Sequence, residues 1–130
     1  MFRYLALGGL LLLLLNDSAA LAGEMSKKRA GPAAAAPVTI GQVRYEAVPW
    51  GRIRELDQNG GYIAAIDENS GQELWILKVY DVRYDGDMED DKQDLFITRI
   101  ESKDSRTLLI ENENGERFIV DLPTRTVKPE

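Results

Sequence analysis

Downstream of an apolar stretch at its start, the chain alternates hydrophobic and polar residues with period two, the signature of half-buried strands. The first run spans residues 38–48. Val43, Tyr45 and Ala47 alternate with Gln42, Arg44 and Glu46 before Pro49-Trp50-Gly51 ends it. Ile53 and Leu56 stand three apart, which allows one helical turn. Residues 52–57 are nevertheless too few for a helix and read as a turn or brief extended piece. Gln58-Asn59-Gly60-Gly61 is a firm turn signal. Residues 62–66 and 73–82 then form the arms of a β-hairpin around Asp67-Glu68-Asn69-Ser70-Gly71, where Gly71 suits a left-handed loop position. Residues 95–100 predict another strand. Residues 107–110 and 117–122 predict a second hairpin around Glu111-Asn112-Glu113-Asn114-Gly115. Pro123 stops it, and residues 124–127 add a short edge strand.

The arm 73–82 is apolar on both faces. Leu74, Ile76, Tyr80 and Val82 fall on one side, and Trp75, Leu77 and Val79 on the other. Such a strand is expected at the centre of a sheet, covered on both sides. In either plausible register an alanine, Ala64 or Ala65, stands opposite Trp75 and makes room for the indole. No helical pattern of useful length follows the apolar start. The fold class is therefore all-β: a small antiparallel barrel or sandwich of about six or seven strands, built from consecutive hairpins.

The two hairpins share a spacing. Counted from the glycine, isoleucine stands at −5 (Ile66, Ile110), an acid at −4 (Asp67, Glu111) and a small polar residue at −1 (Ser70, Asn114). Apolar residues follow at +3 (Leu74, Phe118) and +5 (Ile76, Val120). Both an internal duplication and the common pattern of glycine loops between alternating strands produce this. The stretch Gly61 to Trp75, through Ala65, Ile66, Asp67, Ser70, Gly71 and Leu74, resembles a single blade repeat of quinoprotein-type (PQQ) β-propellers. Ser70 stands where that repeat usually has threonine. The resemblance implies a local hairpin with a packed tryptophan; it covers 15 residues and carries no quinone-binding position. The folded part as a whole resembles small periplasmic all-β proteins of Gram-negative bacteria, which implies a compartment and no mechanism.

Composition narrows the location. Arg3, the run Leu5 to Leu15 and the small residues Ala20-Leu21-Ala22 make residues 1–22 a secretory signal with cleavage before Gly23. The apolar run is short for a membrane span, so no stable anchor is expected after cleavage. Residues 23–37 hold Lys27-Lys28-Arg29 and then an Ala/Pro-rich flexible linker. Residues 38–130 form a single all-β domain, expected in the periplasm or outside the cell. The chain has no cysteine, so its stability rests on the core alone. Its net charge of −6 argues against nucleic-acid partners and anionic lipid.

Histidine is also absent. This removes histidine triads, cysteine nucleophiles and the usual zinc, copper and haem ligands. No recognisable catalytic set remains, and no cofactor is expected beyond Ca²⁺. The metal candidate is Asp85, Asp87, Glu89 and Asp91, hard oxygen ligands at alternate positions. Their spacing departs from an EF-hand, with Asp90 where that loop needs glycine and Phe96 where it needs glutamate. Partner-binding candidates are the aromatics Trp50, Tyr80 and Tyr84 with the acids Asp87, Glu89, Asp90 and Asp91. The expectation is a non-catalytic module that engages another protein with a basic surface, an inhibitor being one form. A calcium-binding protein and a small carboxylate-based hydrolase are the alternatives.

Overall fold

Alternation becomes strand along most of the folded chain. The computed structural model describes residues 34–86 and 93–130, which lie in the compact unit Pro32–Glu130. The elements are β1 (Val38–Ile40), β2 (Val43–Val48), a 3-10 helix (Gly51–Arg54), β3 (Tyr62–Asp67), β4 (Glu73–Lys78), β5 (Ile97–Ser102), β6 (Thr107–Asn112), β7 (Arg117–Asp121) and β8 (Thr126–Pro129). They form two antiparallel four-stranded sheets, ordered β1-β2-β3-β4 and β5-β6-β7-β8. Every strand pairs with its neighbour in sequence, so each sheet is a meander.

The all-β class and the hairpins hold, and two details change. The architecture is two separate sheets rather than a closed barrel, and it has eight strands rather than six or seven. The extra strand arises because residues 38–48 are two strands. Gly41, at φ 62°, turns the chain between Ile40 and Val43, which pair with each other. Glycine takes this left-handed value without the Cβ clash other residues meet.

One apolar cluster joins the two sheets. Tyr45, Ile63 and Ala65 of the first sheet meet Ile97, Ile100, Leu108, Ile110 and Val120 of the second, with Val79 and Tyr80 between strands β4 and β5. Ala65 stands opposite both Tyr45 and Trp75 in the ladder. Because its side chain is one methyl, the two flanking rings close to 5.9 Å across it. Such an aromatic contact adds about 1 kcal/mol beyond the area it buries. Arg125, from the turn before β8, lies 5.4 Å from the Trp75 ring.

The arm 73–82 is strand only to Lys78, and β4 is an edge strand, not a central one. Its two apolar faces have another cause. Trp75 and Leu77 pack into the inter-sheet core, while Ile76 packs into a second cluster on the outer face, with Val48, Tyr62, Ala64, Ile66 and Leu56. Both faces are covered, but the outer cover is a loop.

The common spacing of the two hairpins does not survive in three dimensions. Asp67 closes the first loop onto Gln72, whereas Asn112 closes the second onto Glu116, one residue shorter. Ile66 therefore points to the outer cluster and Ile110 to the inter-sheet core. Ile76 and Val120 are split in the same way. Positions that match by counting from glycine occupy opposite faces.

Candidate functional site

The outer face of the first sheet is covered by the segment between β2 and β3, here called the strap. Pro49 ends β2, and the chain enters the 3-10 helix Gly51–Arg54. Glu55 follows in the left-handed region, φ 64° and ψ 23°, and turns the chain back toward the sheet. Leu56 then inserts into the outer cluster, its amide donating to the Gly51 carbonyl at 3.0 Å. Polar contacts fix the strap on either side of this plug. Arg54 Nη2 donates to Glu73 at 2.6 Å, Lys78 Nζ donates to Asp57 at 2.6 Å, and the Tyr62 hydroxyl also donates to Asp57. The Lys78 ammonium, and then the Tyr62 hydroxyl, hold the Asp57 carboxyl below its ordinary value.

The strap folds tightly back on itself. A Cβ on Gly51 would lie 2.2 Å from the Gln58 carbonyl oxygen, so only glycine fits there. On its other side the strap presents apolar surface to solvent. Ile53 is 81% exposed and Trp50 is 42% exposed. The one-turn spacing of Ile53 and Leu56 places both on a common face only while the turn continues. Glu55 reverses the chain between them, so Leu56 points in and Ile53 out.

The strap continues into a polar clasp at the base of the acidic segment. Gln58, 2% exposed, donates through Nε2 to the carbonyls of Gly60 and Tyr80, and its Oε1 accepts from the Val82 amide at 2.9 Å. Asn59 Nδ2 donates to Asp94 at 3.0 Å, and the Tyr84 hydroxyl donates to the other Asp94 oxygen at 2.6 Å. Burial, and then the Asp94 carboxylate, push the Tyr84 hydroxyl up to about 12, so it remains a donor. The Arg52 guanidinium lies 4.5 Å from the centre of the Tyr84 ring. One residue outside this clasp, the Asp85 amide donates to Gln93 Oε1, and Gln93 Nε2 returns a bond to the Asp85 carbonyl at 3.1 Å. The two ends of the acidic segment are thus held together.

The predicted site residues separate. Trp50 is at the surface, with its ring meeting Phe96 edge-on at 5.3 Å. Tyr84 is half-buried in the clasp, joined to Trp50 through Arg52 and the strap. Tyr80 is a core residue and not a surface platform: it is 9% exposed, stacks on Phe118 at 5.2 Å and donates its hydroxyl to the Leu95 carbonyl at 2.6 Å. Of the metal candidates, Asp85 is exposed at the base of the acidic segment. Asp87, Glu89, Asp90 and Asp91 lie outside the described residues, as do residues 1–22, where a secretory signal was expected, and residues 23–33 of the expected linker. Among the described residues no group of three or more acidic side chains is placed to hold a metal ion.

Sequence reasoning missed Ile53, Arg52 and Asn59. The signal for Ile53 was its setting, a single large apolar residue between Arg52 and Arg54 in a segment too short to form its own core. Asn59 was read only as part of a turn. Its role becomes visible once Asp94, 35 positions later, is brought beside it.

No family model matches the chain, and no curated protein or solved structure matches it.

Proposed function

We propose that the protein is an exported, non-catalytic binding module that engages another protein through the strap, with Trp50 and Ile53 as apolar anchors and the acidic segment as a charged flank. The observation that carries this is the exposure of Ile53 at 81% on a strap whose other contacts are fixed. A large apolar side chain held rigidly in water gains free energy when a partner covers it, and little ordering entropy opposes binding. Trp, Tyr and Arg around it match the composition of interface anchors. The partner favoured is one with a basic rim, because the segment from Asp85 to Asp94 is acidic and the chain carries a net charge of −6. Export rests on the secretory pattern of residues 1–22.

The test is capture from an exported protein fraction, followed by affinity measurement with the purified partner. Ile53→Asp and Trp50→Ala should each weaken binding by about tenfold or more. Ile53→Asp should keep the wild-type melting temperature, whereas Trp50→Ala should lower it slightly through loss of the Phe96 contact. Neutralising Asp87, Glu89, Asp90 and Asp91 should slow association and flatten its salt dependence. Undiminished affinity in both strap variants would remove the strap from the interface.

A further inference from the structure

The four sheet edges differ in what they offer another strand. β1 has three residues and follows Pro37, β5 carries a bulge between Ile97 and Arg99, and β8 ends in Lys128-Pro129. Shortness, bulges, lysine and proline are the usual guards of an exposed edge. β4 is six residues long, pairs with β3 alone among the described residues, and carries Leu74, Trp75, Ile76 and Leu77 between Glu73 and Lys78.

β4 also has a bulge, and the bulge gives it an unusual symmetry. Glu73 stands opposite Ile66, Ile76 opposite Ala64, and Lys78 opposite Tyr62. These β3 partners are alternate residues, so Glu73, Ile76 and Lys78 are evenly spaced along one face, with Leu74 taken up by the bulge. Counted in sequence, Glu73 and Lys78 are five apart and would face opposite ways; the bulge brings them to one side. On the other face, Trp75 and Leu77 stand opposite Ala65 and Ile63, one step to either side of the same centre.

We propose that β4 is a homodimerisation edge, pairing antiparallel with β4 of a second copy about a twofold axis at Ile76. Reversal about Ile76 sets Glu73 of each copy against Lys78 of the other and Trp75 against Leu77, and sets the two Ile76 side chains against each other. Every facing pair is complementary, as an isologous contact requires. The charges can serve both chains. Glu73 already accepts from Arg54, and Lys78 already donates to Asp57 and Asp81. A carboxylate has two oxygens and an ammonium three protons, so each has capacity for one more bond. The result is a continuous eight-stranded sheet across the pair. The inference is independent of the strap as a partner site, so Ile53→Asp should leave the dimer intact.

Sedimentation of the full chain tests it. The wild type should pass from monomer to dimer between about 1 and about 100 µM. Glu73→Lys and Lys78→Glu should each weaken self-association by at least about tenfold, because each sets like charges across the axis. Mixed one to one, the two variants should dimerise again, since each supplies what the other lacks. A fold too damaged to pair would fail this rescue, and failure to rescue overturns the proposal. A wild type that stays monomeric throughout the range also overturns it, including one that instead takes up an added extended peptide at β4. Because the chain has no cysteine, Ile76→Cys gives a second measurement. It should form a disulfide-linked dimer under mild oxidation, whereas Ile119→Cys on the second sheet should not. Equal cross-linking of the two would place the contact elsewhere.

Discussion

The two sheets share strand order and connection, yet they treat their outer faces in opposite ways. In the first, β3 is buried on both sides. Ile63 and Ala65 face the inter-sheet core, while Tyr62, Ala64 and Ile66 face outward under the strap. In the second, the same layer carries Arg99, Glu101, Glu111, Arg117, Asp121 and Lys128 around Leu109 and Ile119, as the register places them. A groove of about 320 Å³ opens there, lined by Ile119, Asp121, Thr126, Val127 and Lys128. An apolar outer face needs a cover, and the cover is a loop that must itself be tied down. The strap is that cover, and it brings Trp50 and Ile53 to the surface. The second sheet buries a single apolar residue in that layer, Leu109 at 3% exposed, and surrounds it with charged side chains. The difference explains why the candidate site sits on the first sheet, although both sheets have the same scaffold.

The sharpest way to break this comparison is to lift the strap. Gly51→Ala drives a Cβ to 2.2 Å from the Gln58 carbonyl oxygen, and Gly60→Ala drives one to 2.2 Å from the Leu95 carbonyl oxygen. Both obstacles are backbone and cannot rotate away. Each substitution should cost about 3 kcal/mol in urea unfolding. Gly115→Ala, in the second sheet's hairpin, meets open space and should cost only about 1 kcal/mol, for its φ of 77°. Equal losses at Gly51 and Gly115 would mean the strap is closed no more tightly than an open hairpin loop.

A smaller effect is expected from the plug. Leu56→Ala removes the side chain that closes the outer cluster and should cost about 2 kcal/mol. Ile119→Ala, on the outer face of the second sheet, should cost less than half as much, because Ile119 is itself only half-buried. Urea midpoints at constant slope decide it. If the two losses are alike, the outer faces differ in charge but not in packing.

Much of the fold was legible from the chain, and the parts that were not have physical causes. The turns at Gln58–Gly61, Gly71 and Gly115 and the arms beside them follow from alternation broken by glycine, and Ala65 does stand opposite Trp75. The split at Gly41 was hidden because Gly41-Gln42 is a two-residue turn within an apolar run, too short to interrupt the pattern. β4 looked central because apolar residues on both faces report that both faces are covered, and a loop covers as well as a sheet does. The partial exposure of Trp50 was legible from Pro49-Trp50-Gly51, since that tripeptide puts the tryptophan on a turn. Tyr80 misled because it stands at the start of the acidic segment in sequence, while its partners Phe118 and Leu95 are remote. Ile53 was hidden by the left-handed Glu55, a conformation that nothing in the residue's identity announces.

The finest distinction between the two sheets is electrostatic, and acid should expose it. Lys78, then Tyr62, hold the folded-state value of Asp57 below that of an unfolded aspartate, about 3.9. A group depressed in this way favours the folded form while it is ionised. Its contribution is fully present above about pH 3.9 and is lost as the pH falls through the folded value. In the second sheet, Asp104 is depressed by the Arg106 amide, and Asp121 by the Thr124 hydroxyl and amide, so that sheet also loosens in acid. The difference lies in what is released. Asp104 and Asp121 cap turns, whereas Asp57 ties the strap to β3 and β4. Asp57→Asn should therefore lose less stability than the wild type between pH 6 and pH 3, by an amount smaller than the Leu56→Ala effect, since the pair is exposed and screened. The same acid interval should raise amide exchange along residues 51–58 before it reaches β6 and β7. Exchange that rises in both regions together would show that the strap is no more separable than the strands beneath it, and that Ile53 is presented by the whole domain rather than by its cover.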